Sequence, residues 1–165
     1  METDKDYYFQ MGCAYLDGDQ HVSKDIQKAV AYFLQAAEQG HPGAQTNLGI
    51  MYNVGIGVIK DQKEAVDYFT KAAEQGHPGA QLNLGIMYDF GNGVIKDQEK
   101  AVYWYTKAAE QGNHQAQFNL GLAYRLGEGV GQDFKKAGYW YSKSAEQGNP
   151  DAIKNLRVLK EKGLY

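Results

Sequence analysis

Apolar residues recur along the chain at three- and four-residue spacing, in short blocks separated by glycine-rich polar stretches. In residues 41–76, Ala44, Leu48 and Met51 or Tyr52 fall on one helical face,. Pro42 stands at the head of this block, as Pro78 and Pro150 do in theirs, where a first helical position has no amide to satisfy,. The spacing predicts a helix from about Pro42 to Asn53. A second stripe, Ala65, Tyr68, Phe69, Ala72 and Ala73, repeats at i, i+3, i+4, i+7 and i+8 and predicts another helix,. It starts after Asp61, which forms a capping-box-like pair with Glu64, and stops at Gly76, a left-handed C-terminal residue. Asp25, Asp97 and Asp133 hold the place of Asp61, and Asn149 precedes Pro150 as an N-cap,. Each block is therefore a helix hairpin.

The block is copied along the chain. AAEQG ends at Gly40, Gly76 and Gly112 and SAEQG at Gly148, and the last three steps are each 36 residues. Residues 41–76 and 77–112 overlay without a gap and agree at 27 of 36 positions. Residues 113–148 keep the frame. Residues 1–40 keep it with one extra residue, Asp19–Gln20–His21 standing where Ile56–Gly57 stand later, and residues 149–165 form half a unit. The expected organisation is one repeat domain over 1–165. It has an N-terminal capping repeat (1–40), repeats at 41–76, 77–112 and 113–148, and a C-terminal capping half-repeat (149–165). One helix pair cannot bury its apolar face alone, so stacked pairs sharing a core, an all-α solenoid of nine helices, are predicted.

Twenty glycines against three prolines would suit a loop-rich chain, yet the repeat assigns them. Some close second helices and some shape the turn between helices. Gly12, Gly49, Gly85 and Gly121 instead lie inside the first helix, where glycine costs about 1 kcal/mol relative to alanine. Close approach of the paired helix, with Phe33, Phe69, Tyr105 or Tyr141 in the vacated space, is the expected compensation.

Charge narrows the function. With 17 Lys+Arg against 20 Asp+Glu the net charge is −3, which disfavours a nucleic-acid partner, because phosphate binding needs a cationic face,. The single cysteine, Cys13, permits no internal disulfide or thiolate cluster and reads as a packed thiol,. No apolar run reaches the ~20 residues of a membrane span, and the N-terminus lacks a basic-then-apolar start. A cytoplasmic location is expected, or a periplasmic or secreted one if a signal peptide has been removed. His41 and His77 lie one repeat apart on helices expected ~8–10 Å from their neighbours, too far to share a zinc ion. No metal or cofactor is expected. GIGVIK and GNGVIK lack the GK[ST] ending and the preceding strand of a phosphate loop, and no S-x-x-K, G-x-S-x-G or H-E-x-x-H occurs. No catalytic residue is assigned.

The series Ala44, Leu48–Gly49, Tyr52, Gly55, Gly57–Val58, Asp61, Ala65, Tyr68, Ala72–Ala73 and Gln75–Gly76 resembles the Sel-1-like repeat (SLR) family, relatives of tetratricopeptide proteins. The resemblance covers essentially the whole chain and is strongest over residues 41–148. It implies a right-handed α-α superhelix and a non-enzymatic scaffold or adaptor that binds a partner protein or peptide in its concave groove. Bacterial signalling, virulence and immunity or inhibitor proteins are special cases. One alternative is a hydrolase of the β-lactamase-like type linked to a cysteine-rich branch of the family, whose paired cysteines are missing here. Another is an RNA-binding helical repeat. A monomer without membrane insertion is expected.

In such an array the first helices line the concave face. Their free stripe is Thr46, Asn47, Ile50, Asn53 and Val54 in one repeat. It is Leu82, Asn83, Ile86, Asp89 and Phe90 in the next, then Phe118, Asn119, Leu122, Arg125 and Leu126. Asn47, Asn83, Asn119 and Asn155 form a ladder that either grips a peptide backbone or ties the repeats together. Positions 46/82/118, 53/89/125 and 54/90/126 differ between near-identical units and suggest variable pockets, with Phe90 and Phe118 as anchors. Tyr103 and Tyr139, beside the stripe residues Trp104 and Trp140, mark a secondary outer-face patch or a rim of the core.

Overall fold

Residues 3–18 and 21–165 are described by a computed structural model. They form α1 (Asp4–Asp17), α2 (Ile26–Glu38), α3 (Pro42–Val54), α4 (Gln62–Glu74), α5 (Pro78–Phe90), α6 (Gln98–Glu110), α7 (His114–Leu126), α8 (Phe134–Glu146) and α9 (Pro150–Glu161). These nine helices, with no strand among the described residues, make the fold an all-α helical-repeat solenoid, as the periodicity predicts. The one-residue insertion at Asp19–Gln20 lies outside the described residues. The chain divides into two compact units, Met1–Ala80 and Gln81–Tyr165.

The caps explain where the helices start. Asp25, Asp61, Asp97 and Asp133 each accept a hydrogen bond from an amide of the following first turn, at 3.1, 2.9, 3.0 and 2.9 Å,. The first helices start differently. His41 Nδ1 accepts from the Ala44 amide at 3.1 Å and His77 Nδ1 from Ala80 at 3.3 Å. Asn113 and Asn149 do the same work one and two repeats later, for Ala116 and Ala152. The second helices end in a left-handed glycine. Gly76 has φ +88°, its amide donates to Ala73 and the His77 amide reaches back to the Ala72 carbonyl, so two terminal carbonyls find partners,.

Packing in each unit is built on glycine–aromatic contacts. In the first unit, Phe33 and Phe69 are fully buried among Ala29, Ala36, Ala44, Leu48 and Ala65. A Cβ placed on Gly12 would stand 2.5 Å from the Phe33 ring, and one on Gly49 2.6 Å from Phe69. In the second unit the same construction puts Gly85 2.6 Å from Tyr105 and Gly121 2.7 Å from Tyr141. The missing methyl is what lets the two helices of a hairpin touch, as the glycine spacing predicts.

Neighbouring hairpins are tied by glutamine. Gln117, 5% exposed, donates to the Ala109 carbonyl at 3.2 Å and accepts from the Gln147 amide at 2.9 Å, joining α6, α7 and the end of α8 through one side chain. Gln45 makes the matching pair with Ala37 and Gln75 in the first unit, at 3.2 and 2.7 Å. Glutamines thus tie neighbouring repeats, and Asn155 bonds back within its own helix to Asp151.

The histidine caps make stability pH-dependent. An Nδ1 that accepts an amide hydrogen must be unprotonated. Burial lowers the pKa of His41 and His77 below the usual histidine value, against an opposing pull from Asp6, 3.6 Å from His41 Nε2. A histidine lowered in the folded state contributes stability that is full above its unfolded pKa of about 6.5 and is lost as pH falls below it. The melting temperature should therefore drop between pH 7.5 and 5. His41→Asn with His77→Asn, which copies residues 113 and 149, should flatten that dependence. A double variant as pH-sensitive as the parent would refute the assignment.

Candidate functional site

The first-helix stripe separates by burial into positions that hold the fold and positions that face outward. At the 46/82/118 position the residues serve the core. Thr46 is 6% exposed, donates its hydroxyl to the Pro42 carbonyl at 2.8 Å and lies 3.0 Å from His77 Nδ1. Leu82 packs against the Ala101–Tyr105 cluster. Phe118 is half-buried and packs against the Ala137–Tyr141 cluster with its ring 5.8 Å from that of Tyr141, so it is less open than Phe90. Phe9, which holds this place in the first repeat, stacks on His41 at 4.2 Å. In the first unit both side chains at this place, Phe9 and Thr46, meet the histidine cap of the next repeat.

The 53/89/125 position answers the aromatic ring of its own hairpin. Tyr105 donates its hydroxyl to Asp89 at 3.2 Å, and Arg125 Nε donates to the Tyr141 hydroxyl at 3.2 Å. Phe69 has no hydroxyl, and Asn53 instead accepts from Gln62 at 3.4 Å. Both tyrosines thus find a charged partner at this position, an acceptor for Tyr105 and a donor for Tyr141. Burial first, and Asp89 second, push the Tyr105 hydroxyl far above the ordinary tyrosine range, so it stays a donor,.

The asparagines are half-buried at 47, 83 and 119. Asn119 hydrogen-bonds the Tyr105 hydroxyl and accepts from Gln115 at 3.4 Å. What remains open is apolar. Val54, Phe90 and Leu126, one repeat apart, are 53%, 70% and 45% exposed, and Ile50 is exposed beside them in its repeat. Ile86 and Leu122 occupy the place of Ile50 and are half-buried.

In the second unit this face opens into a cavity of about 100 Å³ between the end of α5, the start of α6 and α7. Asp89, Phe90, Asn119 and Leu122 of the expected stripe line it, joined by Gln98, Val102, Tyr105 and Glu128. Sequence reasoning passed over Glu128 because it sits between Gly127 and Gly129 and reads as a turn residue. On the second helices, Tyr103 and Tyr139 are exposed, each in edge contact with the neighbouring Trp104 or Trp140. Lys107 and Lys143 lie over the two tyrosine rings, 5.7 and 5.9 Å from their centroids, and cover part of that patch. Trp104 and Trp140 are half-buried. Neither of the 91%-exposed residues Ile59 and Ile95 was expected to be conspicuous; they lie in the turns, outside the helical periodicity.

Chemistry elsewhere is sparse. Among the described residues no group of three or more His, Cys, Asp or Glu could hold a metal ion. No helix among them is long and apolar enough to cross a membrane. Burial, reinforced by Asp17, raises the pKa of the Cys13 thiol, the reverse of what a nucleophile needs,.

Comparison with known proteins agrees with this architecture. The Sel1 repeat model matches residues 6–41, 42–77, 78–113 and 114–149, one residue later than the frame set by AAEQG. No curated protein matches the chain. Among solved structures, the chain is similar to c5321, described as a protective antigen of uropathogenic Escherichia coli strains with an SLR fold. The TM-score is 0.93 and the identity 42%, over 98% of this chain and 34% of that one. A Sel1 repeat protein from Oxalobacter formigenes matches with TM-score 0.87 and 38% identity, over 94% of this chain and 63% of that one. Helicobacter pylori cysteine rich protein B matches with TM-score 0.64 and 28% identity, over 84% of this chain and 98% of that one. The chain thus spans about a third and just under two thirds of the first two of these proteins. Four matched repeats with the capped, glycine-locked hairpins described above establish that the chain belongs to the Sel1-repeat family.

Proposed function

We propose that the chain is a non-enzymatic scaffold or adaptor that docks a segment of a partner protein on the apolar face of its first helices, around Phe90 and Leu126. Sel1-repeat proteins generally mediate protein–protein interaction. The observation that carries the assignment to this face is Phe90, 70% exposed at the end of α5 and beside a cavity. An aromatic ring left open in this way is the kind of anchor that dominates interface energetics.

A photo-crosslinking residue at position 90 should capture a partner from an extract of the source organism, and the same residue at position 103 should not. Phe90→Ala with Leu126→Ala should then weaken the captured partner by about 2 kcal/mol or more while leaving helicity unchanged. Capture through position 103 and not 90 would move the docking face to the second helices. Phe118 is unsuitable for this test, because truncating it opens the core.

A further inference from the structure

The cavity beside Phe90 has a chemistry that the neighbouring repeats do not share. In the repeat frame, the places of Asp89 and Glu128 are held by Asn53 and Asn92 one repeat earlier, and by Arg125 and Leu164 one repeat later. Tyr105 likewise replaces Phe69. Two carboxylates and a hydroxyl thus meet where two adjacent hairpins adjoin, Asp89 and Tyr105 from one and Glu128 from the turn of the next, in a chain whose repeats are otherwise near copies. No lysine, arginine or histidine is among the residues lining the cavity. Neither carboxylate is in an ion pair among the described residues.

Asp89 is held in place. Tyr105 donates to one of its oxygens, and Asn119 bonds the same hydroxyl, so the acceptor is oriented before a ligand arrives,. A carboxylate accepts about four hydrogen bonds, and one donor leaves most of that capacity open. The remaining wall is mostly apolar, Val102 and Leu122 with the Gln98 amide beside them, and the open Phe90 ring lies at the rim. At about 100 Å³ the space suits a small charged head group on an apolar stem. An aromatic ring and carboxylates around such a space favour a cation over an anion or a neutral group.

We infer that this pocket receives the side-chain cation of a lysine or arginine on the docked segment, with Asp89 and Glu128 as counter-charges and Phe90 against the stem. This rests on the docking face proposed above and specifies the chemistry that face selects. A net charge of −3 points the same way, since it attracts a basic segment at long range,.

The test needs no partner. In ¹H–¹⁵N NMR titrations at low salt, n-butylguanidinium and n-butylammonium should give saturable shifts at the amides of Asp89, Phe90, Tyr105 and Glu128. n-Butanol, the neutral control, should not. Asp89→Asn with Glu128→Asn, which installs the residues at 53 and 92 that the fold already carries, should weaken the cations at least about tenfold. Raising NaCl should weaken them too, with no effect on n-butanol. Equal binding of cation and alcohol, no saturable cation shift, or unchanged affinity in the double variant would overturn the pocket assignment. Loss of the position-90 crosslink would overturn the docking face, and the two failures are separate measurements.

Discussion

Gly85→Leu should destabilise the second unit by about 3 kcal/mol or more and lower the melting temperature by roughly 6–12 °C. Two effects compete at this site. Removing a glycine from a helix interior returns about 1 kcal/mol of helix propensity. Against that, a first carbon at this position already stands 2.6 Å from the Tyr105 ring and 3.3 Å from the Ala101 carbonyl. Real side-chain carbons do not approach a ring so closely, and this ring cannot retreat. It is 3% exposed among Ala101, Ala108 and Leu120, and its hydroxyl is bonded to Asp89. Even Gly85→Ala should be net destabilising. Gly131→Ala is the control, because a methyl there meets nothing within 4 Å and the residue is exposed. Thermal melts followed by circular dichroism decide the matter. If Gly85→Ala melts at or above the parent temperature, the close helix approach is not what retains this glycine.

The complementary change empties the space from the other side. Tyr141→Ala should cost about 3–5 kcal/mol, because it removes a fully buried ring and leaves the groove above Gly121 unfilled,. Phe118, packed on that ring, and Arg125, bonded to its hydroxyl, would lose their neighbour as well. Tyr141→Phe keeps the ring and gives up one half-buried hydrogen bond, worth about 1 kcal/mol. The separation between the two variants measures how much of the hairpin rests on shape. A Tyr141→Phe variant as damaged as Tyr141→Ala would show that the hydroxyl, and not the ring, holds the helices together.

The hairpins, their aspartate caps and the glycine–aromatic contacts were legible in the sequence because each is local and copied. A stripe at 3.6-residue spacing and a glycine returning every 36 residues need no knowledge of distant contacts. The histidine caps were less legible, since histidine is not among the usual N-cap residues. Asn113 and Asn149 in the same frame were the available signal. The site was legible in part. Variation among the repeats suggests partner contacts at three positions, and at two of the three the side chains also make contacts inside the fold. Thr46 answers His77, 31 residues away, and Asp89 and Arg125 answer Tyr105 and Tyr141, each 16 residues away. Such pairings are visible once the chain is folded and look like independent changes beforehand. Glu128 was missed for a related reason, because its turn lies far in sequence from the end of α5 whose cavity it lines.

The polar pairs at the tips of the rings also bear on how the chain finds its own register. Adjacent units identical at 27 of 36 positions invite a second helix to pair with the first helix of the wrong hairpin, an error typical of repeat proteins,. The glycine lock cannot prevent it, since α1, α3, α5 and α7 all offer the same notch. The ring tips oppose one such exchange. Were α4 to pack on α5, Phe69 would offer Asp89 no hydroxyl, and the hydrogen bond that Tyr105 donates in the native pairing would be lost. Asp89 thus favours a second helix that carries a tyrosine over the one that carries Phe69, a preference that opposes this exchange,.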